Sequence, residues 1–416
     1  MKQTLQRWMF NLPAVLIVSV LVDLALIAIG RSGIGMPMGD LFLAYQSWAD
    51  QVFKDSTLFG ITTAWVYPWP ALVPMVVSNL LTPGALWFSW LCLVTITQAL
   101  TVGLFVTRKP EPHMHRRYLA AYAWLGFTML LGPVSISRVD AFSVQLALIG
   151  VLFIATKSRV SAAAFLTAAA WIKVWPIALF SPLAFSAEKV RRVVLAGVAV
   201  TLGFVAIALA AGGNLVAIFS FALGQSSRGI QIESPFAMPW LWASATQDPN
   251  SGISYNQSLM TFEVFGPGTE LVASLLNLVQ VGAVLITLTL IFLATKKTAF
   301  DDQHPLNKEI ITWGSFTFVL DLIVFNKVGS PQYMTWIPVT LVLGMLVGAT
   351  RMRVPMVLLA ITTSLTWWLY PFAYDSLLMS ETSAVLLLIT RNCFEIALLV
   401  YGNYRLTQLA TKQLAQ

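Results

Sequence analysis

The chain has 416 residues, of which 57% are hydrophobic and only 10% charged, against roughly 25% charged in an ordinary soluble domain. That balance excludes a water-soluble globular protein, because no fold of this size hides so much apolar surface. It also turns the formal net charge of +7 away from nucleic acid and toward the Lys and Arg excess that membrane proteins keep on the cytoplasmic side.

Apolar runs of near-spanning length cover 12–30, 85–107, 193–211, 271–294, 331–350 and 382–402. A helix needs roughly 20 residues to cross the hydrocarbon core, and none of these runs alternates as barrel strands do. The expectation is an all-α, polytopic helical membrane protein forming one domain over 1–416. No small-residue cleavage site follows the first run, so it reads as a retained span. It leads out to Asp40. The stretch 40–84 holds Pro68, Pro70, Pro74 and Pro83, which spoil a regular span; it reads as an outer loop with short helices lying on the membrane. Helix 85–107 then returns inward, 118–133 goes out and 141–156 comes back. The basic "KSR" at 157–159 and "EKVRR" at 188–192 both belong inside. The intervening 160–186 must therefore go part-way through and return, and "WIKVWP" at 171–176 is the break, since Pro176 removes a helix donor and disfavours helix at Trp175. A helix at 193–211 leads to a second outer loop, 212–269. Segments 271–294, 310–325, 331–350, 354–370 and 382–402 then alternate, leaving both termini cytoplasmic. The total is about 12 membrane segments, some short or broken.

Charge supports this threading. Of the 25 Lys and Arg, only Arg31, Lys54, Arg138, Lys173, Arg228, Lys327 and Arg391 fall off the inner segments, as the positive-inside rule requires. The membrane-edge charges on the outer side are the notable minority: Asp40, Arg138, Asp140, Lys173, Arg228, Glu233, Lys327 and the intramembrane Asp321. Ionisable groups at membrane depth mark pathways and sites. Arg offers a planar fork and Lys a point charge to phosphate oxygens, and a carboxylate can take a proton from a hydroxyl nucleophile. Arg138, Lys173, Arg228 and Lys327 are thus candidates for binding a phosphate. The plainer alternatives are that Arg138 and Asp140 pair with each other and that Lys173 snorkels to headgroups. His113, His115 and His304 fall on inner loops, at a spacing unsuited to a metal, and no phosphate-cradling Gly loop occurs. No metal, cofactor or nucleotide-sugar site is expected. The outer aromatics Trp48, Trp65, Tyr67, Trp69, Trp240, Trp242, Tyr255, Tyr333 and Trp336 suit either an interfacial belt or a surface for sugar rings. Cys92 and Cys393 lie in apolar helices and imply no disulfide framework.

Six stretches share a further likeness: "GDLFLAY" at 39–45, "VYPWP" at 66–70, "SRVDAF" at 137–142, "AAAWIKVWPIAL" at 168–179, "SRGIQIESP" at 227–235 and "SPQYMTWIPV" at 330–339. Together they resemble glycosyltransferase family 87, a GT-C-type membrane family of polyprenyl-phosphate-sugar-dependent transferases typical of actinobacteria. One departure is Tyr67-Pro68-Trp69-Pro70, where the family usually shows Tyr-Pro-Pro; it puts the wall beside the first outer loop in question. The resemblance implies that Asp40, in the first outer loop, is the base. It implies a polyprenyl monophosphate sugar as donor, lying in the outer leaflet, and a glycolipid or lipoglycan acceptor among the membrane lipids. Mannose and arabinofuranose are both sugars the family transfers; the expected reaction is an inverting transfer of mannose, with arabinofuranose the alternative. Within the matching stretches and their surroundings, Tyr45, Tyr67, Asp140, Glu233, Gln332 and Tyr333 are candidates for substrate contact. A transporter or flippase for lipid-linked sugar would share the buried cations and the broken helix, but the two halves show no similarity to each other. A non-catalytic envelope scaffold is the remaining rival, and there Asp40 would tolerate Asn.

Overall fold

The computed structural model describes residues 10–32, 35–108, 114–223, 228–257, 260–298, 301 and 304–411. The expected inner charges Lys2, Arg7, Lys109, Glu111, Asp302 and Lys412, and His113, lie outside the described residues. Helix α1, Leu12–Gly30, opens on Asn11, whose side chain accepts from the Ala14 amide at 2.9 Å, satisfying one donor that the helix start leaves free. The first loop holds α2, Gln46–Asp55, and α3, Leu72–Leu81. Then come α4, Leu86–Thr107; α5, Met114–Leu131; α6, Asp140–Ala155; α7, Arg159–Ile172; α8, Ile177–Phe185; and α9, Val190–Ala210. The second loop carries α10, Met238–Ala245, and a hairpin of β1, Gly252–Asn256, and β2, Thr261–Phe265. The chain ends with α11, Thr269–Lys297; α12, Asn307–Val324; α13, Trp336–Val347; α14, Arg353–Trp367; and α15, Thr382–Thr411.

Among the described residues the bundle is all-α apart from the hairpin, and its helices follow the order of the expected segments. Loop-to-loop bonds gather one set of turns at one end. There Asn214 N donates to Ile61 O at 3.2 Å, Gln231 N to Lys327 O at 2.9 Å, and Ser244 Oγ meets Ser380 Oγ at 2.7 Å. At the opposite end Arg159 reaches Ser186 Oγ at 3.2 Å, Thr350 N reaches Glu309 at 2.8 Å, and Tyr401 reaches Arg351 O at 3.1 Å. Among the described residues six helices are long and apolar enough to cross a membrane, as a polytopic membrane protein requires. Among them α9 is only 17% and α11 only 22% buried, so these two present their Val, Leu and Ile to lipid. In contrast, nearly every residue of α12 and α13 is buried. The large central core joins α5, α6, α7, α8, α12 and α13, and the short, non-spanning helices survive because longer neighbours cover their backbone.

The hairpin was not expected. Its register places Tyr255 opposite Phe262, with ring centroids 4.9 Å apart, an aromatic cross-strand pair of the kind that stabilises a two-stranded ribbon. Several aromatics expected in an interfacial belt also pack inward. Trp65 and Trp69 are buried, and Trp48, Trp65 and Tyr67 meet edge to face at 5.2–6.1 Å. Trp242 and Tyr255 remain exposed.

From the charge split, the end bearing 40–84 and 212–269 is expected to face outward. Single cysteines at Ser56 and Asn250, both exposed, are expected to react with an impermeant thiol reagent on intact cells once Cys92 and Cys393 are replaced. A cysteine at Lys189 should react only after permeabilisation, and the reverse pattern would invert the topology.

Candidate active site

The break in "WIKVWP" creates the centre of the site. Helix α7 ends at Ile172, and Lys173 takes extended geometry, φ −152° and ψ 129°. Pro176, which has no N–H to give a preceding turn, begins the approach to α8. The Lys173 side chain turns toward α6, where its Nζ meets Asp140 Oδ2 at 2.9 Å. Asp140 Oδ1 accepts from Trp336 Nε1 at 2.7 Å. Asp140 is 1% exposed, so this carboxylate is desolvated with both oxygens occupied, as a buried charge has to be. Its place in the first turn of α6 also favours a negative charge. Lys173 Nζ lies 5.1 Å from the ring centre of Tyr67, 5.4 Å from Tyr333 and 5.9 Å from Trp336, a cation walled by aromatic faces.

Lys173 lines a cavity of about 380 Å³ shared with Arg228, Lys327, Tyr67, Gln332 and Tyr333. Six residues singled out in the sequence thus converge on one space. Arg228 and Lys327 come from separate loops and are tied together: Lys327 Nζ donates to Arg228 O at 3.2 Å. Among the described residues Arg228 Nε is buried without a hydrogen-bond partner. Burial pushes the Lys327 ammonium down; the Glu263 carboxylate opposes this and the Arg228 guanidinium adds to it. An arriving anion relieves both effects. Trp175, Trp336 and Tyr333 stack in sequence, with centroids 5.6 and 4.1 Å apart, and give the cavity an aromatic wall. Asn277 and Gln280 of α11 and Asn326 also line it; as lone amides beside apolar runs they gave no sequence signal.

Asp40 and Arg138 do not line this cavity; they form an ion pair with each other. Arg138 therefore pairs with Asp40, and Asp140 with Lys173, instead of Arg138 pairing with Asp140. Asp40 begins a helical run that widens over Leu41–Tyr45 and continues as α2. It is thus fixed by the helix after it and not by α1, and an acid at a helix start is favoured. Its side chain is 39% exposed, against 9% for Arg138, so Asp40 stays open to an incoming group. The two pairs are neighbours because Arg138, Val139 and Asp140 are consecutive. Between them, the Val139 amide donates to Tyr45 Oη at 3.1 Å. Tyr45 is buried and props this turn from behind.

Glu233 is buried as well. Tyr374 Oη donates to its Oε1 at 2.9 Å, and Arg391 donates to its main-chain carbonyl at 2.8 Å. Burial pushes its carboxyl up, against the Tyr374 hydroxyl and the Arg391 and Arg138 guanidiniums. Asp321 bonds Thr287 within the bundle at 2.6 Å, away from the cavity lining. Gly329 sits where the 228–235 loop crosses the 326–330 loop, and a Cβ there would collide with the backbone of Glu233 and Ser234.

Fold and site together define the class: a helical membrane protein that collects cations, aromatic faces and a carboxylate at one end of its bundle. The model of glycosyltransferase family 87 matches residues 65–323, well over half of the chain, and the chain belongs to that family; it is a membrane glycosyltransferase. No curated protein matches the sequence. Tyr67, Arg138, Asp140, Lys173, Arg228 and Glu233 lie within the matched residues, whereas Asp40, Tyr45, Lys327, Gln332 and Tyr333 lie outside them.

Two outcomes follow from this packing. Asp140→Ala strands Lys173 and is expected to lower stability by about 3–5 kcal/mol, read as a clear drop in melting temperature in detergent; an unchanged melting temperature would show that the pair is not needed. Gly329→Ala forces the two loops apart at a cost of about 1–3 kcal/mol. It should give a folded enzyme with a donor KM raised several-fold, and an unaltered KM would mean that the crossing does not shape the cavity.

Proposed function

We propose that this protein transfers mannose from a polyprenyl monophosphate donor to a glycolipid or lipoglycan acceptor on the outer face of the membrane. The observation that carries this reading is the cavity in which Lys173, Arg228 and Lys327 meet beside aromatic rings. Cations in a space partly shut from water suit a phosphate that gains charge as it leaves, and the 168–179 and 227–235 stretches that supply Lys173 and Arg228 are among those resembling the family. The loops 40–84 and 212–269 form the roof of this outer site.

In the proposed step the acceptor hydroxyl oxygen attacks the anomeric carbon. The bond from that carbon to the phosphate oxygen breaks, and polyprenyl phosphate leaves with the electron pair. Asp40 takes the hydroxyl proton. Lys173, Arg228 and Lys327 hold the departing phosphate, with Gln332, Tyr333 and Tyr67 contacting the sugar. One displacement inverts the anomeric centre. Asp140 holds Lys173, and Arg138 holds Asp40, so each acting group has its own fixed partner.

Purified enzyme in detergent is expected to turn over with polyprenyl-phosphate-mannose as its sole donor and to leave GDP-mannose untouched. Preference for the arabinofuranose donor would move the chain to the other branch of the family, and activity with GDP-mannose alone would defeat the reading. Asp40→Asn keeps size and part of the hydrogen bonding but cannot accept a proton. It should lower kcat roughly 100-fold to 10,000-fold in a protein that still folds, with a lower melting temperature to the extent that Arg138 loses its counter-charge. A variant within threefold of the parent enzyme would remove Asp40 from the chemistry.

A further inference from the structure

The apolar end of α14 breaks its own pattern at "WWLYPFAYD", 367–375. Within the widened turn Trp368–Phe372, Tyr370 leaves helical geometry at φ −122° and ψ 110°, because a residue before proline is pushed toward extended backbone. Its hydroxyl accepts from Arg138 Nη2 at 3.2 Å, across 232 residues of chain. We infer that Tyr370 is a positioning residue that holds Arg138 against Asp40.

The geometry around Arg138 gives the reason. A long arginine side chain has many rotamers, and fixing one costs conformational entropy. Arg138 meets Asp40 with Nη1 and Tyr370 with Nη2, while among the described residues its Nε has no hydrogen-bond partner. Two contacts on opposite sides therefore fix the guanidinium. Tyr370 is in turn braced: its ring meets Tyr374 edge-on at 5.0 Å, and Tyr374 is tied to Glu233. Beyond Tyr374, Arg391 holds the Glu233 backbone and pairs with Glu395 inside α15. A braced chain thus runs from the buried face of α15 to Asp40, whose own side chain is more than one-third exposed and would otherwise sample several directions. Tyr370 lies beyond the residues matched by the family model.

This inference rests on Asp40 being the base, and the test separates the two. Tyr370→Phe, Arg138→Gln and the double variant are assayed for kcat and donor KM, with melting temperatures measured alongside. Tyr370→Phe should lower kcat about 10-fold or more, the scale of a hydrogen bond to a charged group, with donor KM within about twofold. In the Arg138→Gln background the same change should cost nothing further, since the hydroxyl no longer has its partner. An unchanged kcat in Tyr370→Phe would overturn the inference. So would an equal fold-loss in both backgrounds, with or without a lower melting temperature, because that marks a purely structural side chain. If Asp40→Asn abolishes activity while Tyr370→Phe is fully active, only the role of Tyr370 falls. If Asp40→Asn is fully active, the underlying reading falls instead.

Discussion

The ion pair between Lys173 and Asp140 is the constraint on which the rest of the site depends. A carboxylate that is 1% exposed at a helix end survives only with its charge matched and its lone pairs used. Lys173 and Trp336 together meet that demand. Each partner in turn needs a particular local structure. Lys173 arrives only because the chain breaks between α7 and α8, and Trp336 arrives only because α13 begins at that depth. The pair therefore locks three segments of the bundle at one point, and the cavity opens beside the lock.

The turn Arg138-Val139-Asp140 carries this order to the other half of the site. Its three residues contact, in sequence, Asp40, Tyr45 and Lys173. An acid open to solvent and a cation walled by aromatic faces are thus held at a fixed separation by two peptide units. The chemistry proposed here asks for that division of labour. One group accepts a proton, a second set stabilises a leaving phosphate, and neither collapses onto the other because each has its own counter-charge.

Much of the fold was legible because it follows from the membrane. Span lengths, the Lys and Arg bias and the demand for an even return between "KSR" and "EKVRR" determined the order of segments, and Pro176 located the break. Tyr67, Lys173, Arg228, Lys327 and Tyr333 could be picked out because charged and aromatic groups are rare beside apolar runs, and Gln332 because it lies in a stretch resembling the family. Partner choice was not legible. Whether Arg138 turns to Asp40 or to Asp140 is decided by side-chain direction at one helix end, which spacing does not encode. The hairpin at 252–265 was hidden because its strands are short and its stabilising pair, Tyr255 with Phe262, reads as ordinary loop aromatics. Tyr370 was hidden for a related cause: its role comes from the proline after it and from an arginine far away in the chain. The lone signal was a tyrosine and proline interrupting "WWL".

The central claim is that the cation-lined cavity receives the phosphate of a lipid-linked sugar. An electron cryo-microscopy structure of the purified protein with polyprenyl-phosphate-mannose tests it most directly. The account predicts phosphate oxygens at about 2.7–3.2 Å from Lys173 Nζ and from the Arg228 and Lys327 side chains, with the anomeric carbon turned toward Asp40. Phosphate density elsewhere on the protein, with this cavity empty or filled by the lipid chain alone, would contradict it.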